Sequence, residues 1–323
     1  MRFLLTTLLT LLVAPAGSNA LAPPSRAAAS DRQTVLTIDD LPAQQAPGLS
    51  GERLQSLTDS LLAVLEHQQI PAVGFVNEEK LYSDGELVQD RVEILEQWLD
   101  AGIELGNHSF SHPDLHRIPL EEFKADVWRG EKVSRSLAAA KGLPYRYFRH
   151  PFLHTGLDLA TKASLEGFLR QSGYVVAPVT VDNSEWIFAR AFDEAVNRGD
   201  PDLQRRLGTE YVEYMMRMVT YYEDQSLGLF DREIPQILLL HANDLNAHFL
   251  ESLLAALRQR GYSFIDLETA LEDDAYSSPD TYVGPGGITW IHRWALTRGV
   301  ERSFFDGEPV TAEWVQDLAG LEE

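Results

Sequence analysis

Two histidines four positions apart, His108 and His112, and two adjacent aspartates, Asp39 and Asp40, are the side chains in this sequence best suited to hold a divalent ion. On a helical turn, an i, i+4 histidine pair shares one face at a spacing that a single metal can bridge. One aspartate completes a three-ligand set with a position left for water, and its neighbour, pointing elsewhere, can take a proton from that water. The chain has no cysteine, so thiolate ligation and disulfides are excluded and the ion must be held by nitrogen and oxygen. Such a donor set favours zinc, with cobalt, nickel or manganese as alternatives.

The candidates share a place in the sequence. Asp39 and Asp40 follow the apolar run 35–38, His108 and His112 follow 103–106, and Arg149 follows 147–148. Asp182 follows the run 175–181, and His241 directly follows 237–240. With 72–76 and 264–265 these are the expected strands, and amphipathic patterns such as Leu54, Leu57, Leu61, Leu62 and Leu65 lie between them. Alternating strands and helices imply a parallel sheet, and roughly seven such units predict a distorted (β/α) barrel, whose strand C-termini open onto one face. That topology gathers the polar residues into one site.

The same residues resemble the polysaccharide deacetylases, carbohydrate esterase family 4 or the NodB-homology group, over about residues 32–270. Five ordered elements carry the resemblance: Thr37-Ile38-Asp39-Asp40, His108-Ser109-Phe110-Ser111-His112, Arg149-His150-Pro151-Phe152, Asp182-Asn183-Ser184-Glu185-Trp186 and Leu239-Leu240-His241. The resemblance implies that Asp40, His108 and His112 bind the metal and that Asp39 is the general base, held by Arg149. It further implies that the Phe152 backbone N–H stabilises the oxyanion and that His241 is the general acid, tuned and oriented by Asp182. Trp186 and Leu239 either wall a pocket for the acetyl methyl or belong to the core. Three positions depart from the family pattern: Ile38 stands for phenylalanine, Phe152 for tyrosine and Glu185 for aspartate. The expected reaction is removal of N- or O-acetyl groups from a carbohydrate. A deformylase or deacetylase of a lipid-linked sugar, an amide hydrolase of a small molecule, and a non-catalytic carbohydrate-binding relative are the competing readings.

The rest of the chain sets the context. Arg2, an apolar run from 3 to 13 and the small residues ending Ser18-Asn19-Ala20 have the layout of a cleavable signal peptide, too short to span a bilayer. The expectation is an exported protein, periplasmic or secreted, with no integral membrane association. A formal net charge of −22 disfavours nucleic acid and anionic lipid as partners. The expected organisation is a signal peptide at 1–20, a linker at 21–33, a deacetylase domain at 34–273 with a helical insertion at 187–232, and an extension at 274–323 packed on the barrel. His67, His116 and His248 are expected at the surface. His150 and His154 line the cleft or pack the loop of the third motif, and Trp290 and Trp294 either stack on sugar or anchor the extension.

Overall fold

The computed structural model describes residues 32–321. The signal-peptide expectation, and all of the linker expectation except its last two residues, fall outside them. Arg32 and Gln33 belong to the folded body: Arg32 pairs with Glu233 at 2.9 Å, and Gln33 opens the first strand.

Seven strands form one parallel sheet among the described residues: β1 (Gln33–Leu41), β2 (Ala72–Val76), β3 (Glu104–Asn107), β4 (Tyr147–Phe148), β5 (Val175–Val176), β6 (Gln236–His241) and β7 (Ser263–Phe264). Their spatial order is β5-β4-β3-β2-β1-β6, with β7 paired to the start of β1. Helices occupy the crossovers. They include α1 (Gly51–Gln68) and α2 (Gln89–Asp100), then α3 (Leu120–Arg129), α4 (Lys132–Ala140) and α5 (Leu159–Gln171). The expected leucine face of α1 is buried throughout, and Ser50 caps the helix by accepting from the Arg53 N–H.

Strand alternation sorts the side chains. Val35, Val73, Phe75, Tyr147 and Ile237 form one cluster, closed at the bottom by Leu267 and Ala270 of α9 (Leu267–Leu271). Leu36, Ile38, Leu238 and Leu240 face the other way, into the core shared with the helices. Because the period is two, Thr37 and Asp39 continue the face of Val35, and Leu239 and His241 continue that of Ile237.

The expected strand 175–181 is shorter than its apolar run. Pro178 lacks an N–H, and the chain changes partner around it: Ala177 N–H bonds Phe148 O at 2.8 Å, whereas Val181 N–H bonds Ile237 O at 3.1 Å. A single bridge between Val181 and Leu238 follows. The stretch therefore runs from one edge of the sheet to the other and curls it into a distorted barrel.

Most of residues 187–232 fall in α6 (Glu185–Asn197) and α7 (Pro201–Phe230). α8 (Asp244–Gln259) follows β6. In the C-terminal extension, α10 (Trp290–Thr297) packs on α7 and α11 (Glu313–Ala319) on α6. Trp290 and Trp294 are buried, so they anchor the extension and are not available for sugar stacking.

Candidate functional site

Sheet register puts the polar groups at one level. Asp39 and His241 are direct partners across β1 and β6. His108 N–H bonds Val76 O, and Arg149 N–H bonds Asn107 O, both at 3.0 Å. Asp39, His108 and His241, with Asp182, Trp186 and Leu239, line a cavity of about 770 Å³.

Asp40, His108 and His112 present ligand atoms that all lie within 4.8 Å of one another. His108 Nδ1 bonds the Arg149 carbonyl at 2.9 Å. A carbonyl only accepts, so this nitrogen carries the proton and Nε2 keeps the lone pair a metal needs. Nε2 sits 4.0 Å from Asp40 Oδ1, a buried oxygen with no hydrogen-bond partner among the described residues. A buried carboxylate oxygen beside two imidazoles, with Lys80 as its ion-pair neighbour, is a donor set that fits a divalent cation. Burial holds both histidines below their usual range and so favours the neutral form that metal ligation requires. Burial raises the Asp40 pKa, but Lys80, 3.1 Å from Oδ1, and the surrounding histidines more than offset it, so the carboxyl lies below its ordinary value.

The histidine spacing does not work through a helical turn. Residues 108–112 form an irregular loop in which Ser109 and His112 have φ of 68° and 53°. Asp126 of α3 latches that loop, accepting from the N–H groups of Phe110 and Ser111 at 2.8 and 3.0 Å and from the Ser111 hydroxyl at 2.7 Å. Gly130 presses against it from below: a Cβ there would lie 2.3 Å from the Ser109 carbonyl carbon.

Asp39 is buried. Burial raises its pKa to about 6 against the opposing effect of Arg149, whose Nη1 lies 3.6 Å away. Arg149 also donates to Thr37 Oγ1 at 2.9 Å. Opposite, His241 Nδ1 bonds Glu185 Oε2 at 2.8 Å. Burial lowers the imidazole pKa, but the Glu185 hydrogen bond and charge outweigh it and carry the value to about 9. The orienting contact expected from Asp182 is thus made by Glu185, which is fully buried and also accepts from Asn246 at 2.6 Å. Asp182 bonds its neighbour's N–H instead, at 2.9 Å, and lines the cavity with its pKa raised to about 6 by burial. Glutamate's extra methylene gives position 185 the longer reach. The aspartate-to-glutamate departure in the fourth motif was the one available signal of this exchange.

Phe152 lies over His112, with ring centroids 4.5 Å apart, and has φ 55°. His150 is buried and also lines the cavity. His67 and His248 are exposed, but His116 is half-buried and stacks on His154 at 3.8 Å. These two with Asp114 form a second cluster of possible ligands, though one nitrogen of each ring is already engaged. His154 Nδ1 bonds Asp114 at 2.7 Å, His116 Nε2 accepts from Gly156 N–H at 3.3 Å, and rings 12° from parallel do not converge their lone pairs. This cluster ties residues 114–116 to residues 154–156. Lys80, Asp126, Asn246 and Thr37 were not among the expected site residues. Glu308, Pro309 and Val310 of the extension, with Tyr214 and Met218 of α7, complete the cavity wall.

Comparison with known proteins agrees with the motifs. Chitooligosaccharide deacetylase from a Bradyrhizobium strain is 30% identical over 130 residues, 40% of this chain and 52% of that protein. A family 4 carbohydrate esterase from Streptomyces lividans superposes with TM-score 0.45 at 20% identity, covering 75% of this chain and 97% of that one. A carbohydrate esterase family 4 pseudoenzyme from Bacillus anthracis superposes with TM-score 0.47 at 18% identity, covering 75% and 66%. A sequence model described as polysaccharide deacetylase matches residues 26–168, the stretch that holds Asp39, Asp40, His108, His112 and Arg149. Over that stretch, less than half of the chain, the sequence is similar to the polysaccharide deacetylases.

Proposed function

We propose that the chain is a metal-dependent hydrolase that removes N- or O-acetyl groups from an extracytoplasmic carbohydrate. The observation that carries the reading is the convergence of Asp40, His108 and His112 within 4.8 Å, flanked by a carboxylate and an imidazole that are direct neighbours across two strands. In this reading residues 34–273 form the catalytic domain, with the insertion at 187–232 and the extension at 274–323 as its additions. Export follows from the signal-like residues 1–20. Among the described residues no helix is long and apolar enough to cross a membrane.

Asp40, His108 and His112 would hold the ion, with zinc the best match to two imidazoles and one carboxylate. When bound, such an ion polarises the acetyl carbonyl and lowers the pKa of a coordinated water. Asp39 accepts the proton of the attacking water, and Arg149 keeps its carboxylate in place. The Phe152 N–H donates to the oxygen that gains negative charge. Nδ1 of His241 is committed to Glu185, so Nε2 delivers a proton to the departing amine or alcohol, leaving acetate as the other product.

The second reading, a small amide or a lipid-linked sugar as substrate, draws on the cavity itself. Its 770 Å³ falls within the range of pockets that enclose one small ligand, and the insertion and extension wall it. The deciding experiment is acetate release from acetylated chitin-like, peptidoglycan and xylan fragments and from a panel of small amides, with and without chelator. Chelator-sensitive release from a carbohydrate supports the proposal. Release from the amides alone selects the second reading, and no release from any substrate after metal loading leaves a silent relative.

A further inference from the structure

Phe152 and Leu153 are consecutive non-glycine residues in the left-handed region, with φ of 55° and 54°. A left-handed backbone at such residues is strained and persists only where its surroundings enforce it. Within the loop the restraint is slight: Leu153 N–H bonds His150 O and His154 N–H bonds Pro151 O, both at 3.0 Å.

The stronger restraint comes from the C-terminal extension. Gly287 lies so close to the loop that a Cβ there would stand 1.7 Å from the Phe152 carbonyl oxygen. The buried Arg293 guanidinium donates through Nη1 to Leu153 O at 3.4 Å and through Nη2 to the Thr155 hydroxyl. It is fixed in turn by Asp280, at 2.8 Å from Nε, and by the Trp290 ring 4.6 Å beneath it. Asp280 also pairs with Lys162 Nζ at 2.7 Å, on the helix that follows the loop. The brace thus reaches the loop from both sides, and its residues 280–293 lie outside the stretch that matches the family model.

We propose that Gly287 and Arg293 are positioning residues for acetyl hydrolysis: the extension holds the Phe152–Leu153 backbone in its left-handed turn and so aims the Phe152 N–H at the developing oxyanion. The proposal rests on the deacetylase reading given above. Without the brace the turn relaxes towards ordinary backbone geometry and the N–H swings away, while the ligands on β1 and after β3 keep their places.

The test compares full-length, zinc-loaded wild type with Gly287→Ala, Arg293→Met, Arg293→Lys and, as a control on the exposed side of the same helix, Leu296→Ala. Asp280 keeps Lys162 as a partner in Arg293→Met, and Gly287→Ala carries the test if that variant does not fold. The substrate is an N-acetylglucosamine oligomer, and the inhibitor is its methylphosphonamidate analogue, which presents a tetrahedral oxyanion. Loss of one oxyanion donor typically costs about 10²–10³ in kcat, so a misaimed donor should cost about tenfold or more. The expected result is that loss in Gly287→Ala and Arg293→Met, with KM within about twofold and one zinc retained per chain. The inhibitor Ki should rise by the same factor, with partial rescue by lysine and no change in Leu296→Ala. A purely structural role would reduce the active fraction without moving Ki, so unchanged Ki overturns the proposal. If wild type neither releases acetate nor binds the analogue, the deacetylase reading fails by itself. The brace is then judged by hydrogen exchange at residues 152–156: faster exchange in Arg293→Met supports it and unchanged exchange overturns it.

Discussion

Asp39 and His241 face one another from adjacent strands with protonation equilibria displaced so that a base and an acid coexist at neutral pH. The Asp39 carboxyl, near 6, is ionised there, and the His241 imidazole, near 9, is protonated. Asp39→Asn keeps the side chain's shape but cannot take a proton, so acetate release should fall by about 10² or more with metal content unchanged by elemental analysis. His241→Ala should slow an N-acetyl sugar far more than an aryl acetate, because an amine cannot leave unprotonated whereas a phenolate can. An equal loss on both substrates would remove His241 from the acid role. Glu185→Gln withdraws the carboxylate that keeps the imidazole charged. The acid form is lost as pH rises through its pKa, so the alkaline limb of the kcat profile, expected near pH 9 in the wild type, should move down by about one to three units in the variant. A limb that stays in place would show that another group sets it.

The loops and strand ends that carry these groups were legible to different degrees. The apolar runs ending at Asp39, Asn107 and His241 were plain, because a buried parallel strand must be apolar on both faces. The loop from His108 to His112 was misread as a helical turn, since spacing alone does not disclose the left-handed backbone at Ser109 and His112. Asp126 and Lys80 carried no local signal, as each acts on a partner distant in sequence, whereas Glu185 announced itself by departing from the motif. The Asp126 latch can be measured. Asp126→Ala removes three hydrogen bonds from the loop that presents both histidines. Competition with a fluorescent chelator should report metal affinity weakened by about 10–100-fold, the usual range for such supporting contacts. Undiminished affinity would mean that Gly130 and the strand suffice to hold the loop.

Across the whole molecule the dominant property is its charge of −22. Screening shortens from about 30 Å at 0.01 M salt to about 8 Å at 0.15 M, so repulsion of a like-charged polymer should weaken over that range. For an acetylated polyanion, kcat/KM should therefore rise with salt, while a neutral N-acetylated oligosaccharide stays flat. A parallel response of both would place the acidic surface away from the path of approach.

The proposed ligands stand on two parts of the sheet that do not touch in sequence. Asp40 is the penultimate residue of β1, His108 and His112 follow β3, and β2 lies between these strands. In polymer terms a bound ion is a removable cross-link that closes the whole α1–β2–α2 segment into a loop, and it exists only while all three strands are assembled. Ligand linkage then makes the metal a sensor of complete folding: saturation to about 100 Kd adds about 2.7 kcal/mol to the unfolding free energy. The urea midpoint should climb with the logarithm of free zinc in the intact protein, and that slope should vanish when both histidines are replaced by alanine.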